Sequence, residues 1–263
     1  MTDNIYSVEK IAEGTYKIDE MGRDISYLLL GTEKALLIDT SIGTGNIKKA
    51  VEKITDLPVT VAITHGHADH TGGAVGKFKE IYVHEDDCRF IFKITNSRIY
   101  KSTLISNRMK KEDVSIKNFR GFIWQTKWIP FEDGKVFDLG GRRVTAVLTP
   151  GHSPGCCVFL DDKEKLMFTG DNTLPYLLMS ISPSTSLEKW LVGAEKTYAL
   201  CDEYTPWSSH GDGRQTKEQI GKTISLVKEI IQKYQKNGRK KKAVKYKSED
   251  GKLCIIFDER RIY

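Results

Sequence analysis

The sequence predicts an α/β fold in which sheets are covered by helices, and three observations predict it. Short β-branched stretches alternate with segments of three-and-four apolar spacing, strands followed by helices occur twice along the chain, and no linker, low-complexity tract or short-period repeat interrupts the pattern. With 263 residues, 39% of them hydrophobic and 29% charged, there is enough material for one sizeable core. Residues 1–263 are therefore expected to form a single domain.

Thr15 to Ile18, Ile25 to Leu30 and Ala35 to Ile38 read as a meander of strands separated by turn residues such as Gly22 and Gly31. Gly43 to Ile54 carries Ile47, Ala50, Val51 and Ile54 on one face, which predicts an amphipathic helix. Val59 to Ile63 is β-branched and apolar, a buried strand, and Ile81 to Val83 is the next, followed by a helix through Glu85 to Lys93. From about Ser97 to Ile129 the periodicity degrades while aromatic residues gather: Tyr100, Phe119, Phe122, Trp124 and Trp128. Residues 88–130 thus read either as an aromatic cap over a pocket, with Trp128 a candidate substrate contact, or as a core-filling insertion.

Strand patterning resumes at Lys135 to Asp138, Arg142 to Leu148, Cys156 to Leu160 and Leu166 to Thr169, and helices follow at Ser186 to Leu200 and Gln215 to Tyr234. In the last helix Ile220, Ile224, Val227, Ile230, Ile231 and Tyr234 make one apolar stripe suited to core contact. Asp250-Gly251 joins Val244 to Lys247 with Leu253 to Phe257 as a hairpin.

Composition excludes several classes. No apolar run approaches the roughly 20 residues that span a bilayer. The start, Met1-Thr2-Asp3-Asn4-Ile5-Tyr6, lacks a secretory pattern, so a cytoplasmic location is expected. The five cysteines, Cys88, Cys156, Cys157, Cys201 and Cys254, have no C-x-x-C spacing and form neither a disulfide framework nor a zinc knuckle. The net charge of +6 is mild. Much of it lies between Lys233 and Lys247, where Lys236, Arg239, Lys240, Lys241, Lys242 and Lys245 read as a solvated charge run, the alternative being a phosphate-attracting strip for nucleic acid.

Chemistry is concentrated in Thr64-His65-Gly66-His67-Ala68-Asp69-His70-Thr71-Gly72-Gly73, which holds half of the chain's six histidines directly after a predicted strand. Imidazole nitrogen and carboxylate oxygen suit zinc, iron or manganese, and the lack of thiolate argues against a closed structural zinc site. Pro150-Gly151-His152-Ser153-Pro154-Gly155, Phe168-Thr169-Gly170-Asp171 and Ser209-His210-Gly211 add candidates in glycine-flanked loops. His65, His67, His70, His152 and His210 with Asp69 and Asp171 make seven ligands, enough for two cations sharing a carboxylate. Such a pair holds a bridging hydroxide and polarises the group it attacks, so hydrolysis is the expected reaction. His84, the remaining histidine, reads as a satisfied polar residue at a strand end.

The blocks T-H-G-H-A-D-H-T-G-G, P-G-H-S-P-G, F-T-G-D and S-H-G, in this order and spacing, resemble those of the metallo-β-lactamase superfamily over most of residues 14 to 235. The resemblance implies an αββα sandwich, two mixed β-sheets flanked by helices with the metal site at one edge. It implies His65, His67 and His152 around a first metal, Asp69, His70 and His210 around a second, and Asp171 bridging, with zinc the first expectation and iron or manganese the alternatives. Asp69 is then placed to accept or shuttle a proton, a catalytic role. Asp39, at the end of Ala35-Leu36-Leu37-Ile38, resembles the family's acid that orients a ligand histidine, the alternative being a turn cap.

Because superfamily members act on very different substrates, the ligand set does not name one. P-G-H-S-P-G and F-T-G-D are similar to the blocks of glyoxalase II-like members, which implies a small ester, thioester or lactone, a small-molecule substrate. Lactonases of the family place a tyrosine three residues after the bridging aspartate, whereas this chain has Leu174 there and its nearest tyrosine is Tyr176, a candidate substrate contact. The apolar run after Asp171, through Met179, is expected to be a pocket wall or an inward-packed helix. Phosphodiesterase or nuclease activity using the basic 233–247 segment is one alternative; an iron-dependent oxidoreductase similar to persulfide dioxygenases is another, whereas diiron members carry glutamate where this chain has His67.

Overall fold

The computed structural model describes residues 5–95, 126–234 and 243–263. Its first sheet has seven strands in sequential order: β1 Tyr6–Ala12, β2 Thr15–Glu20, β3 Asp24–Leu30, β4 Ala35–Ile38, β5 Val59–Ala62, β6 Glu80–His84 and β7 Lys127–Phe131. It is antiparallel from β1 to β4 and parallel from β4 to β7. The helices α1 Ile47–Glu52, α2 Ala68–Thr71 and α3 Glu85–Thr95 fall in the connections of the parallel half.

The second sheet runs β13-β11-β10-β9-β8, from β8 Val136–Asp138, β9 Arg143–Leu148, β10 Cys157–Asp161, β11 Leu166–Gly170 and β13 Thr205–Ser208. Helices α4 Leu187–Leu200 and α5 Lys217–Tyr234 follow its strands. Period-two alternation explains the layering. In β3, Ile25, Tyr27 and Leu29 join the second sheet's Phe159, Phe168 and Trp207 in one cluster between the sheets, while Leu28 points the other way, to Ile47 and Val51 of α1 and Ile91 of α3. The α/β class and two mixed sheets flanked by helices are thus as expected.

A third sheet is an addition to that expectation. β12 Tyr176–Met179 pairs in parallel with β15 Cys254–Phe257, which pairs antiparallel with β14 Val244–Lys247. The predicted hairpin is present, but the apolar run after Asp171 is a strand rather than a helix. Leu177, Met179, Ile255 and Phe257 pack with Trp190 of α4 and with Ile220, Val227 and Ile230 of α5.

The expected cap over 88–130 falls mostly on residues that the structure does not describe. Residues 96–125, with Tyr100, Phe119, Phe122 and Trp124, lie outside the described residues, whereas α3 packs against β6 and β7, and Trp128 lies in a strand of the first sheet. Of the basic run, residues 235–242 lie outside the described residues, and Lys233 and Lys245 rest over the rings of Tyr246 and Tyr176. No helix among the described residues is long and apolar enough to cross a membrane.

Candidate metal centre

The candidate ligand residues lie where strands end. β5 stops at Ala62, and Thr64 to His67 turn into α2, so that His65, His67, Asp69 and His70 leave one short arc. α2 is tied down at once, since the His67 carbonyl accepts from the His70 and Thr71 amides, both at 3.1 Å. The chain then passes hard against the loop after β4. A Cβ on Gly73 would lie 1.9 Å from the Thr40 carbonyl oxygen, so only glycine fits there. His152 comes from the loop between β9 and β10, Asp171 from the end of β11 and His210 from just past β13.

All seven side chains converge. His67 Nδ1 lies 3.0 Å from His65 Nε2 and 2.8 Å from His152 Nε2. His210 Nε2 lies 3.1 Å from Asp171, and His70 Nε2 lies 3.4 Å from Asp171 Oδ1 and 3.9 Å from Asp69 Oδ1. Asp171 Oδ2 is also 3.8 Å from His152 Nε2, which sets this carboxylate between the two clusters. Three groups have ligand atoms within 4.8 Å of one another and could hold a metal ion: His65/His67/His152, His65/His70/Asp171 and Asp69/His70/His210.

The donor inventory fits a cation. Two imidazole nitrogens crowd His67 Nδ1, and a single N–H can satisfy only one of them. His70 Nε2 and Asp171 Oδ1 are buried without a hydrogen-bond partner among the described residues. Left so, each costs about 1–3 kcal/mol, a cost that a coordinated cation removes.

Hydrogen bonds on the far side of four of the five rings fix which nitrogen faces inward, whereas the outer Nε2 of His67 is buried with no hydrogen-bond partner among the described residues. Nδ1–H of His152 donates to the Leu178 carbonyl at 2.7 Å, and that of His210 to the Arg23 carbonyl at 2.7 Å. His70 Nδ1–H donates to Asp39 Oδ2 at 2.8 Å. His65 Nδ1–H donates to Thr64 Oγ1, which in turn donates to the same Asp39 carboxylate. Asp39, in the left-handed region at φ 58°, also accepts from the Thr64 amide at 2.7 Å and from Ser209 Oγ at 3.0 Å. It therefore braces His65 and His70 together; the turn-cap alternative captures only its bond to the Thr64 amide.

Electrostatics separate the two clusters. Burial, reinforced by the neighbouring imidazoles, holds His65 well below the usual imidazole range, brings His67 down to about 3 and lowers His152. These three rings are neutral, as ligands must be. Burial opposes charge on His70 and His210 too, but Asp39 and Asp171 lift His70 well above its usual range, and Asp171 lifts His210 to about 9. Burial likewise opposes charge on Asp171, yet the facing His210 and His70 hold its carboxyl well below the usual range.

Two expected contacts fall outside this constellation. Trp128 sits in the first half of β7, packed with the cluster on the helix-covered face of the first sheet. Tyr176 is 49% exposed on β12, two residues before the carbonyl that orients His152. His84 is buried, and its Nδ1 accepts from the Asp86 amide, in keeping with a satisfied strand-end histidine. Sequence reasoning missed Asp87, which is fully buried and ties both histidine-bearing loops, and Asn172, whose Oδ1 accepts from the His152 amide at 2.9 Å.

The chain belongs to the metallo-beta-lactamase superfamily, whose sequence profile matches residues 25–197. Among curated relatives, the human acyl-coenzyme A thioesterase MBLAC2 is 25% identical over 218 residues, covering 75% of this chain and 77% of that one. The atrochrysone carboxyl ACP thioesterase dmxR1 of Cryptosporiopsis sp. is 30% identical over 136 residues, covering 52% of this chain and 32% of that one. Among solved structures, the FEZ-1 metallo-beta-lactamase of Legionella gormanii matches with a TM-score of 0.63 at 18% identity, covering 89% of this chain and 98% of that one. Membership and relatives together make this chain a hydrolase of the superfamily.

Proposed function

We propose that this chain is a binuclear metal hydrolase that cleaves a thioester of a small acyl group, with zinc the resident metal. The carrying observation is the convergence of His65, His67 and His152 on one side of Asp171 and of Asp69, His70 and His210 on the other, with the rings of His65, His70, His152 and His210 each held by an outer hydrogen bond. Of the three carbonyl substrates that the motif blocks imply, the names of the curated relatives favour the thioester.

Bound divalent cations supply a water of lowered pKa and a Lewis acid for the carbonyl. The protein's own residues do the rest. Asp171 spaces the two clusters. Asp69, at the first turn of α2 with its oxygens 3.9 Å from His70 Nε2 and from His210 Nε2, accepts the proton released as water adds to the carbonyl carbon. It returns the proton to the thiolate when the carbon–sulfur bond breaks, so the products are a thiol and a carboxylic acid, which releases its remaining proton to solvent as it ionises. Tyr176, exposed beside the Leu178 contact, is proposed to meet the acyl or carrier part of the substrate.

The test combines elemental analysis of natively purified protein with thioester, ester, lactone, β-lactam and phosphodiester substrates on one preparation. Two zinc equivalents and thiol release from the thioester are expected. One iron per chain, or cleavage confined to phosphodiesters, would overturn the reading.

A further inference from the structure

We propose that Asp87 is a positioning residue that holds the two loops of the three-histidine cluster at ligating distance while itself touching no metal. Both oxygens of its carboxylate are engaged by the two loops: Oδ2 accepts from the Gly66 amide at 2.7 Å and from Ser153 Oγ at 2.6 Å, and Oδ1 accepts from the Gly155 amide at 2.7 Å. Gly66 is the residue between His65 and His67, so fixing its amide fixes the angle at which those two rings leave the chain. Ser153 and Gly155 belong to the turn that follows His152. One fully buried acid thereby sets the span between the two segments that supply this cluster among the described residues.

The surroundings are built around that carboxylate. A Cβ on Gly155 would lie 2.8 Å from Asp87 Cγ, so the loop approaches as closely as it does only because it is glycine there. Asp87 stands in the first turn of the eleven-residue α3, where the helix amides favour a negative charge. Burial pushes its carboxyl up from the usual range, and the three donors push the other way. Asp87 belongs to none of the ligand groups and, unlike Asp39, touches no ring.

The inference rests on the metal reading of the site, and the experiment separates the two. Chelator-stripped protein is titrated with Co²⁺ alone, following its ligand-field absorbance, in two backgrounds: His210→Ala, which leaves the three-histidine cluster, and His152→Ala, which leaves the Asp69/His70/His210 cluster. Failure of the parent chain to bind Co²⁺ at all would remove the metal reading itself. Asp87→Asn keeps size but turns an amide N–H toward donors, so it is expected to lower affinity about 10- to 100-fold in the His210→Ala background and to alter the absorbance, as loss of an outer partner does. In the His152→Ala background it should change affinity less than about threefold, well under that loss. Equal loss in both backgrounds would mean general destabilisation and would overturn the proposal, as would no loss in either. Should Asp87→Asn fail to fold, Ser153→Ala removes only one of the three donors and is expected to lower affinity severalfold in the first background alone; unchanged affinity there overturns the proposal equally.

Discussion

The Leu178 carbonyl accepts the Nδ1 proton of His152 at 2.7 Å, and this bond links the candidate metal centre to β12, the strand that pairs with the C-terminal hairpin. Leu178 lies on β12, whose strand partner is β15, with Leu177 opposite Ile255 and Leu178 opposite Ile256. The third sheet, lying largely beyond the span matched by the superfamily profile, thus holds one candidate ligand ring by a hydrogen bond.

Ile255→Ala tests that dependence. Ile255 is fully buried against α5, so truncation is expected to cost about 2–5 kcal/mol of stability, read by denaturant unfolding. Zinc affinity of the His65/His67/His152 cluster should fall with it, while that of Asp69/His70/His210 should hold. Unchanged zinc affinity in the first cluster would show that β12 keeps its place without the hairpin.

His67→Ala and Asp171→Ala address the reaction. His67 is the ring on which His65 and His152 converge, and Asp171 lies between the clusters. Either variant is expected to lose thioester turnover by on the order of 10³-fold, the several kcal/mol that Lewis-acid stabilisation supplies. Far-UV circular dichroism should stay near that of the parent. Full activity in either variant would exclude the two-metal assignment.

How much of this was legible follows from how local each signal is. His65, His67, Asp69 and His70 stand in one hexapeptide, His152 and Asp171 each follow a stretch readable as a strand, and His210 sits in a glycine-flanked loop, so the candidate ligands were readable from short local motifs. Asp87 was not, because Glu85-Asp86-Asp87 is also what an ordinary helix start looks like, and its partners lie 21 and 68 residues away. β13, Thr205–Ser208, was missed because Pro206 argues against a strand; the structure puts it at the edge of its sheet, where proline is tolerated. β12 is four residues long and draws its partner from the far end of the sequence, so its apolar run looked equally like a helix or a pocket wall.

Arg142 gives a stability prediction independent of the metal. Its guanidinium pairs with Asp161 through Nε at 2.9 Å and Nη2 at 2.6 Å, both side chains fully buried, and Nη1 donates to the Gly14 carbonyl at 2.9 Å. Arg142→Met strands the Asp161 charge and is expected to cost about 3–5 kcal/mol. Adding Asp161→Leu should recover much of that loss. A single variant as stable as the parent by thermal unfolding would contradict the account.

The last prediction concerns pH. Cation and proton compete for the same imidazole nitrogen, so a ring that holds its proton more tightly binds metal more weakly until the pH rises past its value. In the Asp69/His70/His210 cluster, burial opposes protonation, but Asp171 and Asp39 outweigh it and lift His70, and Asp171 lifts His210 to about 9. Zinc affinity there is expected to rise by about tenfold per pH unit for each displaced proton, with the His210 contribution levelling off above about 9. In the three-histidine cluster burial has already removed the protons, with His67 down to about 3, so affinity should be flat from pH 7 upward. Stability of the metal-free chain takes the opposite sign for His210: a raised folded value stabilises below the unfolded value of about 6.5, and that contribution fades as pH climbs through about 9. Competition titrations from pH 6 to 9.5 in the His210→Ala and His152→Ala backgrounds separate the clusters, and parallel pH slopes in the two would refute the assignment of neutral rings to one and protonated rings to the other.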